Sequence, residues 1–152
     1  MKAYVYAPLP KSTYKFFPDD RGGDDDSAPH CTVLFIGEIA DSNVDKLKSI
    51  LDDETKNRSP IGCHFGELKS FPAGDYGVPW YVEIVADSEL ERLHKTIWRR
   101  LTECGIPVEH SWKEFKPHAT LKYLPEGADY DGAVPEGEFT MDSILLDIQE
   151  RI

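Results

Sequence analysis

Two stretches, Pro29-His30-Cys31-Thr32-Val33-Leu34 and Pro117-His118-Ala119-Thr120-Leu121-Lys122, share the pattern P-H-x-T followed by an apolar residue. Both read as the start of a β-strand, HCTVLFIG over 30–37 and HATLKYL over 118–124. Successive side chains of a strand point to opposite faces, so His30 projects with Thr32 and His118 with Thr120. Each stretch therefore offers an imidazole beside a hydroxyl. Core packing alone gives no reason for the same tetrapeptide to occur twice.

Working outward, residues 3–8 alternate as a short strand that stops at Pro8 and Pro10. Residues 9–29 have neither helical nor strand periodicity, and a loop of that length is a candidate cover for a site. The run Asp24-Asp25-Asp26 within it reads as a solvated tip. A helix is expected over 41–55, with Ser42 and Asp45 at capping-box spacing and Val44, Leu47, Ile50 and Leu51 on one face. Strands follow near 62–70 and 79–86. A second helix has Ser88 and Glu91 as a capping box, and its apolar stripe, Leu90, Leu93, Ile97, Leu101 and Cys104, ends at Gly105 and Pro107. His94 lies beside that stripe, flanking the core or facing solvent. A last strand is expected near 143–149. Strands and helices interleave, which gives an α+β class for residues 1–152 read as one domain.

The bulk properties narrow the function. A net charge of -11 repels polyanions, whereas affinity for long nucleic acid rests largely on Lys and Arg neutralising phosphates. A long duplex is therefore an unfavourable partner, while a short nucleotide or an RNA end needs only a few local donors. No segment approaches the roughly 20 apolar residues of a membrane span. The three cysteines, Cys31, Cys63 and Cys104, are odd in number and widely spaced, as free thiols of a reducing compartment would be. A cytoplasmic protein is expected, a monomer with no cofactor. Cys31, Cys63, His64, Cys104 and His110 include potential zinc ligands but form no short chelating pair, so no metal site is expected. The Asn57-Arg58-Ser59 sequon reads as a polar loop.

Two imidazoles suit phosphoester chemistry. One takes a proton from the attacking oxygen while the other donates one to the leaving oxygen. With an ordinary pKa of about 6.5, histidine populates both forms near neutrality, so the pair works without a metal. The threonine hydroxyls would donate to non-bridging oxygens, where charge builds in the transition state.

With its two H-x-T motifs in opposite halves of one small domain, the chain resembles the 2H phosphoesterase superfamily, the RNA ligase-like and cyclic phosphodiesterase group. The resemblance covers nearly the whole chain and implies a bilobal, pseudo-two-fold fold in which two antiparallel sheets flank a central cleft, with helices outside. It implies His30 and His118 as general acid and base, in either order, and Thr32 and Thr120 as phosphate-binding hydroxyls. It also suggests Lys122, a basic residue after the second motif on the same face by alternation, as a phosphate contact. Tyr14, in the long loop before His30, is the ring favoured for stacking on a base. The implied substrate is a small nucleotide or RNA-end phosphodiester: a 2′,3′-cyclic phosphate, a 2′-5′ linkage or a cyclic oligonucleotide. The motif style looks like that of phage and prophage members, for which removal of cyclic-nucleotide alarm signals in the host cytoplasm is a special case. Two alternatives stand beside hydrolysis: a non-catalytic nucleotide or RNA-end binding module, and ligation of RNA ends by the reverse reaction.

Overall fold

The computed structural model describes residues 1–20, 28–56, 58–109 and 115–149. In chain order these form β1 (Lys2–Pro8), β2 (His30–Glu38), α1 (Val44–Thr55), β3 (Ile61–Ser70), β4 (Val78–Ala86), α2 (Ser88–Glu103), β5 (His118–Leu124), β6 (Glu138–Met141) and β7 (Leu145–Gln149). All strand pairs are antiparallel. One sheet has the order β2-β1-β7, the other β5-β4-β3-β6. Each histidine motif thus opens an edge strand of its own sheet, and the two edge strands, β2 and β5, lie against one another. This is the two-sheet, two-lobed arrangement that the resemblance implies.

The alternation of β1 explains its role. Ala3, Val5 and Ala7 are fully buried, while Tyr4, Tyr6 and Pro8 stand on the other, partly open face. In β4, Val82 and Ile84 enter the core. α2 packs on α1 and β2 and presents Leu90, Leu93, Ile97 and Leu101 inward, none more than 1% exposed. Burying each such side chain stabilises the fold by about 1.5–3 kcal/mol. A single hydrophobic cluster draws on both sheets and both helices.

Several local expectations change. Neither serine capping box forms. Asn43 is the N-cap of α1, behind a short 3-10 turn over Asp41–Asn43, and Asp87 is the N-cap of α2, both without a side-chain cap bond. The Asp87 N–H is instead given to the Gly62 carbonyl at 3.1 Å, so the adjoining strand fixes where α2 begins. Its far end follows the sequence: Gly105 has φ 75°, and the N–H groups of Ile106 and Gly105 donate to the carbonyls of Leu101 and Thr102, a Schellman closure. The long loop contains a 3-10 helix over Lys11–Phe16, fastened down by the rings of Phe16 and Phe17 against Phe65. The four-residue β6 carries no sequence signal long enough to be read. The acidic tip, Asn57, His110 and Trp112 lie outside the described residues.

Candidate functional site

The two motifs are held alike, bond for bond. In the β1–β2 ladder His30 lies opposite Pro8 and Thr32 opposite Tyr6; in the β4–β5 ladder His118 lies opposite Glu83 and Thr120 opposite Tyr81. The carbonyl before each histidine is bonded to its lobe, Pro29 by the Leu9 N–H at 3.1 Å and Pro117 by the Ile84 N–H at 3.0 Å. Each imidazole bonds through Nδ1 to the carbonyl two residues back, His30 to Ala28 at 3.0 Å and His118 to Lys116 at 2.7 Å. A carbonyl only accepts, so Nδ1 carries hydrogen and proton exchange with a substrate falls to Nε2. The same tautomer is selected twice.

Rings fix the remaining freedom. Tyr4 and Tyr6 lie 5.9 and 5.6 Å from His30. Phe71 and Tyr81, stacked on each other at 4.2 Å, lie 5.0 and 5.1 Å from His118. The motifs also meet directly. The His118 backbone N–H acts on the thiol of Cys31, the residue between His30 and Thr32, drawing its pKa down while the dominant effect, burial, pushes it up to about 12. His118 itself is held below the ordinary histidine range, first by burial and further by the nearby charge of His30, against the opposing bond to Lys116. His118, which feels the charge of His30, therefore stands with it at the junction of the edge strands.

A shared irregularity extends the likeness beyond the threonines. On β2 the ladder passes from Thr32 opposite Tyr6 to Leu34 opposite Val5, skipping Val33. On β5 it passes from Thr120 opposite Tyr81 to Lys122 opposite Trp80, skipping Leu121. One extra residue reverses the phase of everything beyond it. Phe35, opposite Tyr4, and Tyr123, opposite Pro79, thereby join the histidine face. Lys122 takes the face of Trp80, the position that Leu34 holds in the first lobe, contrary to the strict alternation that places it with His118.

Phe35 and Tyr123 line a cavity of about 440 Å³ together with Tyr4, His30, Thr32, Tyr76 and Gln149. Tyr76, 54% exposed, meets Tyr123 edge to face at 6.2 Å. Its turn is closed by reciprocal bonds between Gly74 and Gly77. At Gly77 (φ 103°) a Cβ would meet the Leu124 carbonyl at 2.5 Å, so a bare backbone is required there. Tyr14 sits on the 3-10 helix and is not among the cavity's lining residues. Phe35 and Tyr123 go unnoticed when the repeat is read only to its sixth residue; at the seventh, both copies carry an aromatic.

Among the remaining histidines, His64 is exposed and His94 is buried rather than solvent-facing. Cys31, Cys63 and Cys104 are free thiols. No described helix is long and apolar enough to cross a membrane.

Residues 15–146 match the model of the 2′-5′ RNA ligase superfamily. Among curated proteins, an RNA 2′,3′-cyclic phosphodiesterase of Archaeoglobus fulgidus is 29% identical over 105 residues, 66% of this chain and 56% of the relative. A Bacillus subtilis protein of the same description is 27% identical over 117 residues, 74% of this chain and 62% of the relative. The chain thus spans 56% and 62% of the lengths of these two relatives. Among solved structures, a Thermus thermophilus protein aligns with TM-score 0.70 at 19% identity, covering 96% of this chain and 87% of that one. E. coli LigT complexed with 3′-AMP aligns with TM-score 0.69 at 16% identity, covering 95% and 86%. The MHV ns2 PDE domain aligns with TM-score 0.63 at 15% identity, covering 97% and 99%. These likenesses establish the fold.

Proposed function

From the premise that this chain belongs to the 2′-5′ RNA ligase superfamily, we propose that it is a phosphodiesterase that opens 2′,3′-cyclic phosphates on small nucleotides or RNA ends. The observation that carries this reading is the duplicated anchoring of His30 and His118, each with Nδ1 tied to a carbonyl, which gives the proton transfers at one phosphate to the two Nε2 atoms. The two curated relatives, both described as RNA 2′,3′-cyclic phosphodiesterases, favour this substrate among the linkages the chemistry allows.

The depressed pKa of His118 supports one division of the roles. His118, neutral at physiological pH, is the general base, and His30 enters protonated as the general acid. Water attacks phosphorus and gives one proton to His118 Nε2. The bond from phosphorus to one ribose oxygen breaks, and that oxygen takes the proton from His30 Nε2. A monoester and a free ribose hydroxyl result, and exchange with solvent restores both rings. Thr32 and Thr120 donate to the non-bridging oxygens, where charge accumulates. None of these steps requires a metal. The cavity beside His30, with Phe35, Tyr76 and Tyr123 around it, is the seat for the base, a role in which exposed rings are effective. Lys122, on the opposite face, has no assigned contact, and Tyr14 is not needed for stacking. The net charge of -11 fits a short substrate, and three free thiols fit the cytoplasm.

The test is to incubate the protein in EDTA with 2′,3′-cyclic mononucleotides, 2′-5′ dinucleotides and cyclic oligonucleotides, and to identify the products by phosphorus NMR. Ring-opening of the 2′,3′-cyclic compounds is expected. Turnover only after metal is added, or tight binding with every ligand recovered intact, would overturn the reading.

A further inference from the structure

His94 lies on the buried stripe of α2, 5% exposed, and no part of the proposed reaction uses it. Its Nδ1–H donates to the Val33 carbonyl at 2.6 Å. Val33 is the residue the ladder skips in the first motif, the one whose insertion brings Phe35 round to the face of His30 and Thr32. β2 is an edge strand among the described residues, so no described strand bonds its outer side, and the imidazole from α2 reaches the irregularity there. The ring of His94 also stacks on Phe115 at 4.2 Å and 5°, with Trp98 edge-on at 5.6 Å. Phe115 immediately precedes Lys116, whose carbonyl orients His118.

We propose that His94 is a positioning residue that sets both catalytic histidines at once: its N–H fixes the bulge of the first motif, and its ring face fixes the segment leading into the second. The inference rests on the reading of His30 and His118 as an acid and base pair. The residue type follows from the double task. A neutral imidazole provides, in one small planar group, a directed N–H and a flat face for stacking. Phenylalanine keeps the face and loses the donor; asparagine keeps a donor at nearly the same place and loses the face. Burial holds the His94 pKa below the ordinary value, against the raising effects of the Val33 bond and Glu91, so the neutral form is the one that stacks. Displacing a reacting group by about 1 Å is enough to slow a reaction by about 100-fold, so a loosened bulge acts on the chemical step rather than on affinity.

The experiment compares His94→Phe and His94→Asn with wild type for kcat and KM on 2′,3′-cyclic AMP, alongside melting temperature. The expected result is a crossing of two orders. His94→Phe melts higher than His94→Asn, yet its kcat falls roughly 10- to 100-fold with KM within about twofold, while His94→Asn, which keeps the donor and loses only the stack, falls by less. A kcat that follows melting temperature across the three proteins, or a His94→Phe kcat equal to wild type, overturns the proposal. Should His94→Phe not fold, Phe115→Leu removes the stack from the other side. It is expected to lower kcat and to shift the Cε1–H resonance of His118; no change in either refutes the role. The same resonances of His30 and His118, followed during titration with inorganic phosphate, separate the two claims. If wild type shows no turnover but His94→Asn or Phe115→Leu still shifts them while His64 stays put, the catalytic reading falls and the positioning role stands.

Discussion

Replacing Phe35 and Tyr123 by alanine, singly and together, should weaken substrate binding while leaving the chemical step nearly intact. Both rings line the cavity beside His30. Phe35 is 39% exposed and Tyr123 half-buried, neither belonging to the central core, so their loss removes little that holds the fold. Stacking of a base on an aromatic ring is worth about 1–3 kcal/mol by alanine substitution. At 1.4 kcal/mol per tenfold, KM should rise roughly 5- to 150-fold per ring. A cavity of about 440 Å³ suits one nucleoside rather than two, and the rings come from different lobes. They therefore address the same base, and the double variant should depart from additivity. The assay is steady-state hydrolysis of 2′,3′-cyclic AMP, with an abasic ribose 2′,3′-cyclic phosphate as control. KM for the abasic ester should not move. An unchanged KM for cyclic AMP in both single variants, or an equal loss with the abasic ester, would refute the base seat.

The depressed pKa of His118 fixes the sign of the pH dependence: the base must be neutral, so kcat/KM should rise with pH through a midpoint below about 6.5, and His30→Gln, which removes a charge that lowers it, should raise the His118 midpoint read by NMR. A wild-type midpoint above the ordinary value would contradict the assignment of the base. Thr32→Val and Thr120→Val keep shape but lose a donor, so each should lower kcat by about 10²- to 10³-fold with little effect on KM; steady-state rates within about threefold of wild type would remove the hydroxyls from the transition state.

The repeated P-H-x-T pattern made the two-lobed fold readable through the family it resembles, and strand alternation placed each histidine beside its threonine. The apolar stripe of α2 was equally plain in Leu90, Leu93, Ile97 and Leu101, all buried, but its fifth expected member, Cys104, caps the helix end and is exposed. What resisted reading was the phase beyond the threonines. A one-residue bulge leaves no mark in composition or periodicity, so strict alternation placed Lys122 with His118 and overlooked Tyr123 and Phe35. The 3-10 helix over Lys11–Phe16 has too few residues for a period and is held by distant rings. The capping serines failed for a related reason, since strand pairing at Gly62 and Asp87 sets the start of α2. His94 resembled any polar residue flanking a stripe, because its partners, Val33 and Phe115, are remote in sequence.

The most direct measurement is the turnover of 2′,3′-cyclic AMP by His30→Ala, His118→Ala and the double variant, each first shown to be folded. Each single change should lower kcat by roughly 10²- to 10⁴-fold, and the double variant should be little slower than the worse single one, since the two rings act in one step. Wild-type turnover retained by either single variant would contradict a reaction carried by two imidazoles on one phosphate.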